Sequence, residues 1–139
     1  MFSSILVPTN FSEPADVLVK AARALTSGTG AVIHLLHVIE TIHDAPFDEL
    51  EDFYSRLEAA AETQLDTLER RFSEESLECT TELRFGNRTN EILRVAEEQN
   101  VALILLHSHP VDPSQPARSL GTISYQVSIL SRCPVLLLK

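Results

Sequence analysis

The sequence predicts an open, doubly wound α/β domain in which five strands alternate with four helices, and three observations predict it. Val101–Leu106 is a continuous apolar run without helical period, the pattern of a strand buried on both faces of a parallel sheet. Ile5–Val7 and Ala31–Ile39 are further apolar runs of strand length, and they bracket a segment with helical spacing. After the run at Val101 come a polar loop rich in Pro, Ser and Asp, an amphipathic stretch opened by Ser119-Leu120-Gly121-Thr122, and a last apolar strand at Cys133–Leu138.

The elements follow in order. Ile5–Val7 ends in the turn Pro8-Thr9-Asn10-Phe11-Ser12, and Ser12 stands where a side-chain cap would open a helix that begins Glu13-Pro14. Val17, Ala21, Ala24 and Leu25 form its expected core stripe, and Ser27-Gly28-Thr29-Gly30 stops it. Ala31–Ile39 is the second strand, parallel to the first because the crossover is right-handed. Leu50, Phe53, Tyr54, Leu57, Ala61, Leu65, Leu68 and Phe72 recur at three- and four-residue spacing, which predicts one long helix. Glu78–Phe85 alternates apolar and polar residues, as a strand near the sheet edge does. Gly86–Asn90 turns the chain into a helix over Glu91–Gln99 that packs Ile92, Leu93, Val95 and Ala96.

A chain of 139 residues builds about one domain, here residues 1–139. The apolar fraction of 44% places it with soluble globular proteins. No apolar run approaches the roughly 20 residues of a spanning helix, and Met1-Phe2-Ser3-Ser4 lacks the basic start of a secretory signal. The expectation is a cytoplasmic protein without membrane insertion. A net charge of −9, with only two lysines, disfavours nucleic acid and anionic membranes as partners. Cys79 and Cys133 are too few for a disulfide framework and read as reduced thiols.

The strand-turn Ile5–Ser12, the strand and loop from Val101, Gly121-Thr122 and the closing Cys133–Leu138 together resemble the universal stress protein family over essentially the whole chain. The resemblance implies a parallel sheet of spatial order 3-2-1-4-5, with Asn10 and His107 on facing loops at the point where the winding reverses. Ligands bind at that point in such sheets. It also implies a homodimer through the terminal strand, Pro134–Lys139, whose unprotected apolar edge favours pairing. Nucleotide-binding members carry a glycine, two residues, a second glycine, nine residues, and a third glycine followed by Ser or Thr. The last element survives as Gly121-Thr122, where a helix start offers free amides and a positive dipole end to an anion. His107 and Pro110 occupy the first two glycine positions, and the interval from Pro110 to Gly121 is one residue longer than the pattern.

A second departure is Asn10, where members that hold adenosine usually carry an acidic residue. The resemblance therefore places a degenerate nucleotide site at Thr9, Asn10, Val38, His107, His109, Arg118, Gly121 and Thr122. The leading expectation is a non-enzymatic stress-response regulatory or interaction module with no cofactor and an unidentified protein partner. One alternative is an ATP- or AMP-binding switch using Gly121-Thr122, Arg118 and Asn10. Another is a metal-dependent hydrolase, since His107 and His109 share a strand face and Asp112 lies close by. His37 reads as structural. No nucleophile elbow, Walker loop or dinucleotide fingerprint is present. A phosphorylatable receiver domain would want an acidic cluster at the first strand's end and a lysine at the last, and Asn10 and the absence of an interior lysine in the fifth strand argue against one.

Overall fold

The computed structural model describes residues 2–27, 29–41, 50–108, 113–115 and 122–139. His109, Pro110, Asp112, Arg118 and Gly121, all singled out by sequence, lie outside them. The described elements run β1 (Ser4–Pro8), α1 (Ala15–Thr26), β2 (Val32–Glu40), α2 (Glu51–Glu74), β3 (Glu78–Gly86), α3 (Arg88–Glu98), β4 (Leu103–His107), α4 (Ile123–Leu130) and β5 (Val135–Leu138). The strands form one five-stranded sheet of order β3-β2-β1-β4-β5. All four pairings are parallel, with Leu6 opposite both His34 and Ile104.

The period of two along each strand sorts the core into two layers. Ile5, Val7, Ile33, Leu35, Leu103 and Leu105 face one way, against Leu18, Val19 and Ala22 of α1 and Leu65, Leu68 and Phe72 of α2. Leu6, Leu36, Val38, Ile104 and Leu106 face the other way, against Ile92, Val95 and Ala96 of α3 and Val127 of α4. The winding therefore reverses between β1 and β4.

Three expectations need correction. The α1 stripe is Leu18, Val19, Ala22 and Thr26, with Ala21 and Leu25 at its margin, while Val17 and Ala24 are exposed. Ser12 does not cap α1; Pro14 holds that position without a side-chain bond, because the Ser12 hydroxyl is committed to Asn10. α3 begins at Arg88, three residues early, because the Asn87 side chain accepts from Asn90 N at 3.0 Å and caps the helix there.

Two helix ends are closed by local bonds. After α2, Ser76 takes φ +61°, Ser76 N donates to Ser73 O and Leu77 N donates to Phe72 O. After α3, Asn100 takes φ +48°, with Asn100 N on Glu97 O and Val101 N on Ala96 O. Both are Schellman closures, which satisfy the last carbonyls and turn the chain directly into the next strand. Arg84 ties β3 to α3 by reaching Glu82, Glu91 and Glu98.

Candidate functional site

The turn after β1 is held rigidly by its own residues. Thr9 N donates to Leu36 O at 2.8 Å, and His37 Nδ1 meets the Thr9 carbonyl at 2.8 Å. A carbonyl only accepts, so Nδ1 carries the proton and the tautomer is fixed. The ring of Phe11 lies 4.5 Å from that of His37, and Phe11 takes φ +69°, a conformation rare for an aromatic residue. Glu13 folds back over the turn, accepting from Thr9 Oγ1 at 2.9 Å and from Asn10 N at 3.3 Å. Ser12 N donates to Asn10 Oδ1 at 2.9 Å, and the Ser12 hydroxyl donates to the same oxygen.

This turn forms one wall of a pocket of about 40 Å³ at the carboxyl ends of β1, β2 and β4. Thr9, Asn10, Glu13, Arg88 and His107 are among its polar lining residues, and Leu36, Val38, Ile92, Leu106 and Ile123 supply apolar surface. A space of this size holds no more than a few waters, each needing about 10–15 Å³ on the same measure, so a larger ligand would extend outward from it. Of the sequence-predicted residues, Thr9, Asn10, Val38 and His107 meet here. Thr122 stands beside them as the N-cap of α4, its hydroxyl accepting from Tyr125 N at 3.3 Å, and Ile123 and Ser124 of the same helix start line the pocket. His109, Arg118 and Gly121 lie outside the described residues.

Sequence reasoning missed Glu13 and Arg88. Glu13 brings a carboxylate to the turn three residues after Asn10, the position where an acid was expected. Arg88 is the first residue of α3, where the helix dipole disfavours a cation. That mismatch was the readable signal. Among the described residues Arg88, like Arg56 and Arg70, makes no hydrogen bond or ion pair, whereas Arg23, Arg71, Arg84, Arg94 and Arg132 all meet carboxylates; of the three, Arg88 alone lines this pocket. Its charge is felt at His37.

Among the described residues no group of three or more His, Cys, Asp or Glu gathers as a metal site. No helix among them is long and apolar enough to cross a membrane. Both cysteines are free, and burial pushes the Cys79 thiol up to about 12, which keeps it protonated.

The whole chain, residues 1–139, matches the profile of the universal stress protein family. The chain belongs to that family. Universal stress protein G of Salmonella typhimurium is 28% identical over 146 residues, covering 100% of both chains. The solved structure of the universal stress protein MJ0577 from Methanocaldococcus jannaschii superposes with a TM-score of 0.80 at 25% identity, covering 100% of this chain and 96% of that one. A universal stress protein from Archaeoglobus fulgidus in complex with dAMP matches with a TM-score of 0.71 at 15% identity, over 99% and 98% of the two chains. In this universal stress protein five strands in the order 3-2-1-4-5 and, among the described residues, four helices carry the pocket.

Two histidines of β2, His37 against the turn and His34 beside Thr80 of β3, give the protein a pH dependence. Burial is the main cause that lowers the pKa of both His34 and His37 below the ordinary 6.5. Above 6.5 the ring is neutral whether the chain is folded or not; as pH falls below it, the unfolded chain takes up protons first, and stability is lost through the folded pKa values. Thermal melts should therefore give a lower Tm at pH about 5.5 than at about 7.5. Glu98, held below the ordinary 4.5 by hydrogen bonding to Arg84, adds its own loss only at more acid pH. A Tm that is flat across the upper window would contradict the histidine assignment.

Proposed function

We propose that this universal stress protein is a non-enzymatic regulatory module that binds a nucleoside phosphate in the pocket between β1 and β4. One observation carries the reading: Arg88, a guanidinium without a partner among the described residues, and a group of apolar side chains line one pocket at the crossover of the sheet. An apolar wall suits a base, and a guanidinium suits a phosphate because its paired N–H groups match two oxygens. Arg88 and the start of α4 at Thr122 would then do part of what the absent glycines do elsewhere in the family. Arg118 and Gly121 belong to the same proposal from the sequence side. The Archaeoglobus relative in complex with dAMP shares the fold at 15% identity, so the ligand class here rests on the pocket's own chemistry.

Calorimetric titration of ATP and AMP, with and without Mg²⁺, into folded protein stripped of co-purified ligand tests the reading. Saturation near one nucleotide per chain is expected. Replacing Arg88 with Ala should weaken binding at least ~10-fold, the size of one charge-assisted hydrogen bond, without lowering the Tm. A flat titration at high protein concentration would refute the nucleotide reading.

A second reading, an interaction module, has its own observation. β5 is the edge of the sheet, Leu136 on it is exposed, and Ile129 and Leu130 of the preceding helix are 64% and 59% exposed. An apolar edge with almost no guarding charge favours pairing with another chain, and a homodimer through Pro134–Lys139 is the proposed form. Sedimentation should show a dimer at micromolar concentration that Leu136→Lys converts to monomer. A wild-type monomer, or a dimer indifferent to that change, would refute it.

A further inference from the structure

The pocket is lined by a buried hydroxyl that the protein itself does not use. Ser124 is 6% exposed and borders the pocket two residues after the Thr122 cap of α4. A serine or threonine inside a helix ordinarily turns its hydroxyl back to a carbonyl of the preceding turn, as Thr26, Thr63, Thr67 and Ser128 do here. Ser124 makes no such bond and no other side-chain hydrogen bond. Among the described residues, Ser4 Oγ is the one side-chain oxygen or nitrogen that is both sealed off and unbonded. The unbonded Ser124 Oγ is therefore open, and the space that Ser124 borders is the pocket.

Two further features meet at this hydroxyl. The Thr122 cap satisfies the amide of Tyr125, so the amides of Ile123 and Ser124 at the start of α4 have no helical carbonyl to meet. Thr89, itself 6% exposed, donates to Gln126 Oε1 at 2.7 Å and fastens the start of α3 to the first turn of α4. Arg88 precedes Thr89 directly, so Arg88 and Ser124 line the pocket from two helix starts that are tied together.

We infer that Ser124 donates its hydroxyl to the anionic group of the ligand, the same phosphate that Arg88 meets. This rests on the nucleotide reading above and adds a second phosphate-binding side chain to it. The guanidinium neutralises the anion, the hydroxyl donates to one of its oxygens, and the start of α4 brings free amides and a positive dipole end. Because no protein group uses the hydroxyl, it contributes nothing to the empty fold, and its whole value appears on binding.

Calorimetric titration of AMP into the ligand-stripped full-length protein, as wild type and as Ser124→Ala, with inorganic phosphate as competitor, tests the inference. Ser124→Ala should bind AMP about 10-fold more weakly, the scale of one hydrogen bond to a charged group, while the Tm of the empty protein does not fall. Phosphate should displace AMP from wild type, with an inhibition constant that rises about 10-fold in the variant. A lower Tm of the empty variant would mean that the hydroxyl is bonded within the protein. Unchanged AMP affinity, or phosphate that competes equally in both proteins or in neither, would place the hydroxyl away from the anion. Each of these results overturns the inference and leaves the nucleotide reading standing. Absence of AMP binding to folded wild type would overturn the nucleotide reading and this inference with it.

Discussion

Phe72→Ala is expected to cost about 3–5 kcal/mol of folding stability, the range for removing a fully buried aromatic ring. Phe72 is 0% exposed and closes the layer in which α2 lies over the sheet, packed with Leu65 and Leu68 against the strands. Its backbone carbonyl, which accepts from Leu77 N and Glu75 N at the helix end, survives the substitution. The loss is therefore a packing loss, made of the transfer energy of the ring and the cavity it leaves. Domains of this kind have about 5–15 kcal/mol in total, so the variant should lose a large share of its stability and melt roughly 10–20 °C lower. The control is on the same helix: Leu57, 37% exposed, should cost no more than about 0.5 kcal/mol when cut to Ala. Denaturant melts of both variants check the pair, and equal losses would mean that α2 is not seated as described.

The topology was legible because a parallel sheet covered on both sides makes its inner strands nearly continuous apolar runs without helical period. Val101–Leu106 is such a run, and Ala31–Ile39, interrupted by His34 and His37, is marked as a strand by its short length and the glycines before it. β3 was legible for the opposite reason, since its mixed pattern marks an edge, where one side of the strand meets solvent. The stripe of α1 was not legible. Nearly every side of Ala15–Thr26 carries Val, Leu or Ala, so periodicity offered two stripes, and the neighbouring α2 and sheet chose Leu18, Val19 and Ala22. The site was half legible. Thr9, Asn10, Val38 and His107 sit at strand ends, where position along the chain fixes position in the fold. Arg88 reaches the pocket from the start of α3, a distance in sequence that only the folded sheet closes. Ser12 looked like a cap by spacing, and its commitment to Asn10 is a side-chain choice that spacing does not encode.

Gly86→Ala should destabilise the fold by about 2–3 kcal/mol, the upper part of the range for forcing a side chain into a backbone conformation that essentially belongs to glycine. Gly86 ends β3 at φ +146°, and a Cβ built there would lie 3.1 Å from Glu91 Oε1 and 3.2 Å from Glu91 Cγ. Glu91 has little room to yield. It is 7% exposed, Arg94 holds Oε1 at 2.6 Å, and Arg84 reaches Oε2 at 3.5 Å. The methyl group therefore strains the backbone and presses on the carboxylate that fastens α3 to β3. Gly30 also has positive φ, but at +65° it lies in the left-handed region that Phe11, Ser76 and Asn100 also adopt here, and nothing lies within 4 Å of a Cβ there. Gly30→Ala should cost about 1 kcal/mol, the penalty of that milder conformation alone. The excess at Gly86 should fall when Glu91 is shortened to Ala in the same chain, giving a favourable coupling in the double-mutant cycle. Additive losses would place the whole cost in the backbone. Because α3 starts two residues later with Arg88, the same strain moves the cation that lines the pocket, so Gly86→Ala should weaken ligand binding even where the protein remains folded.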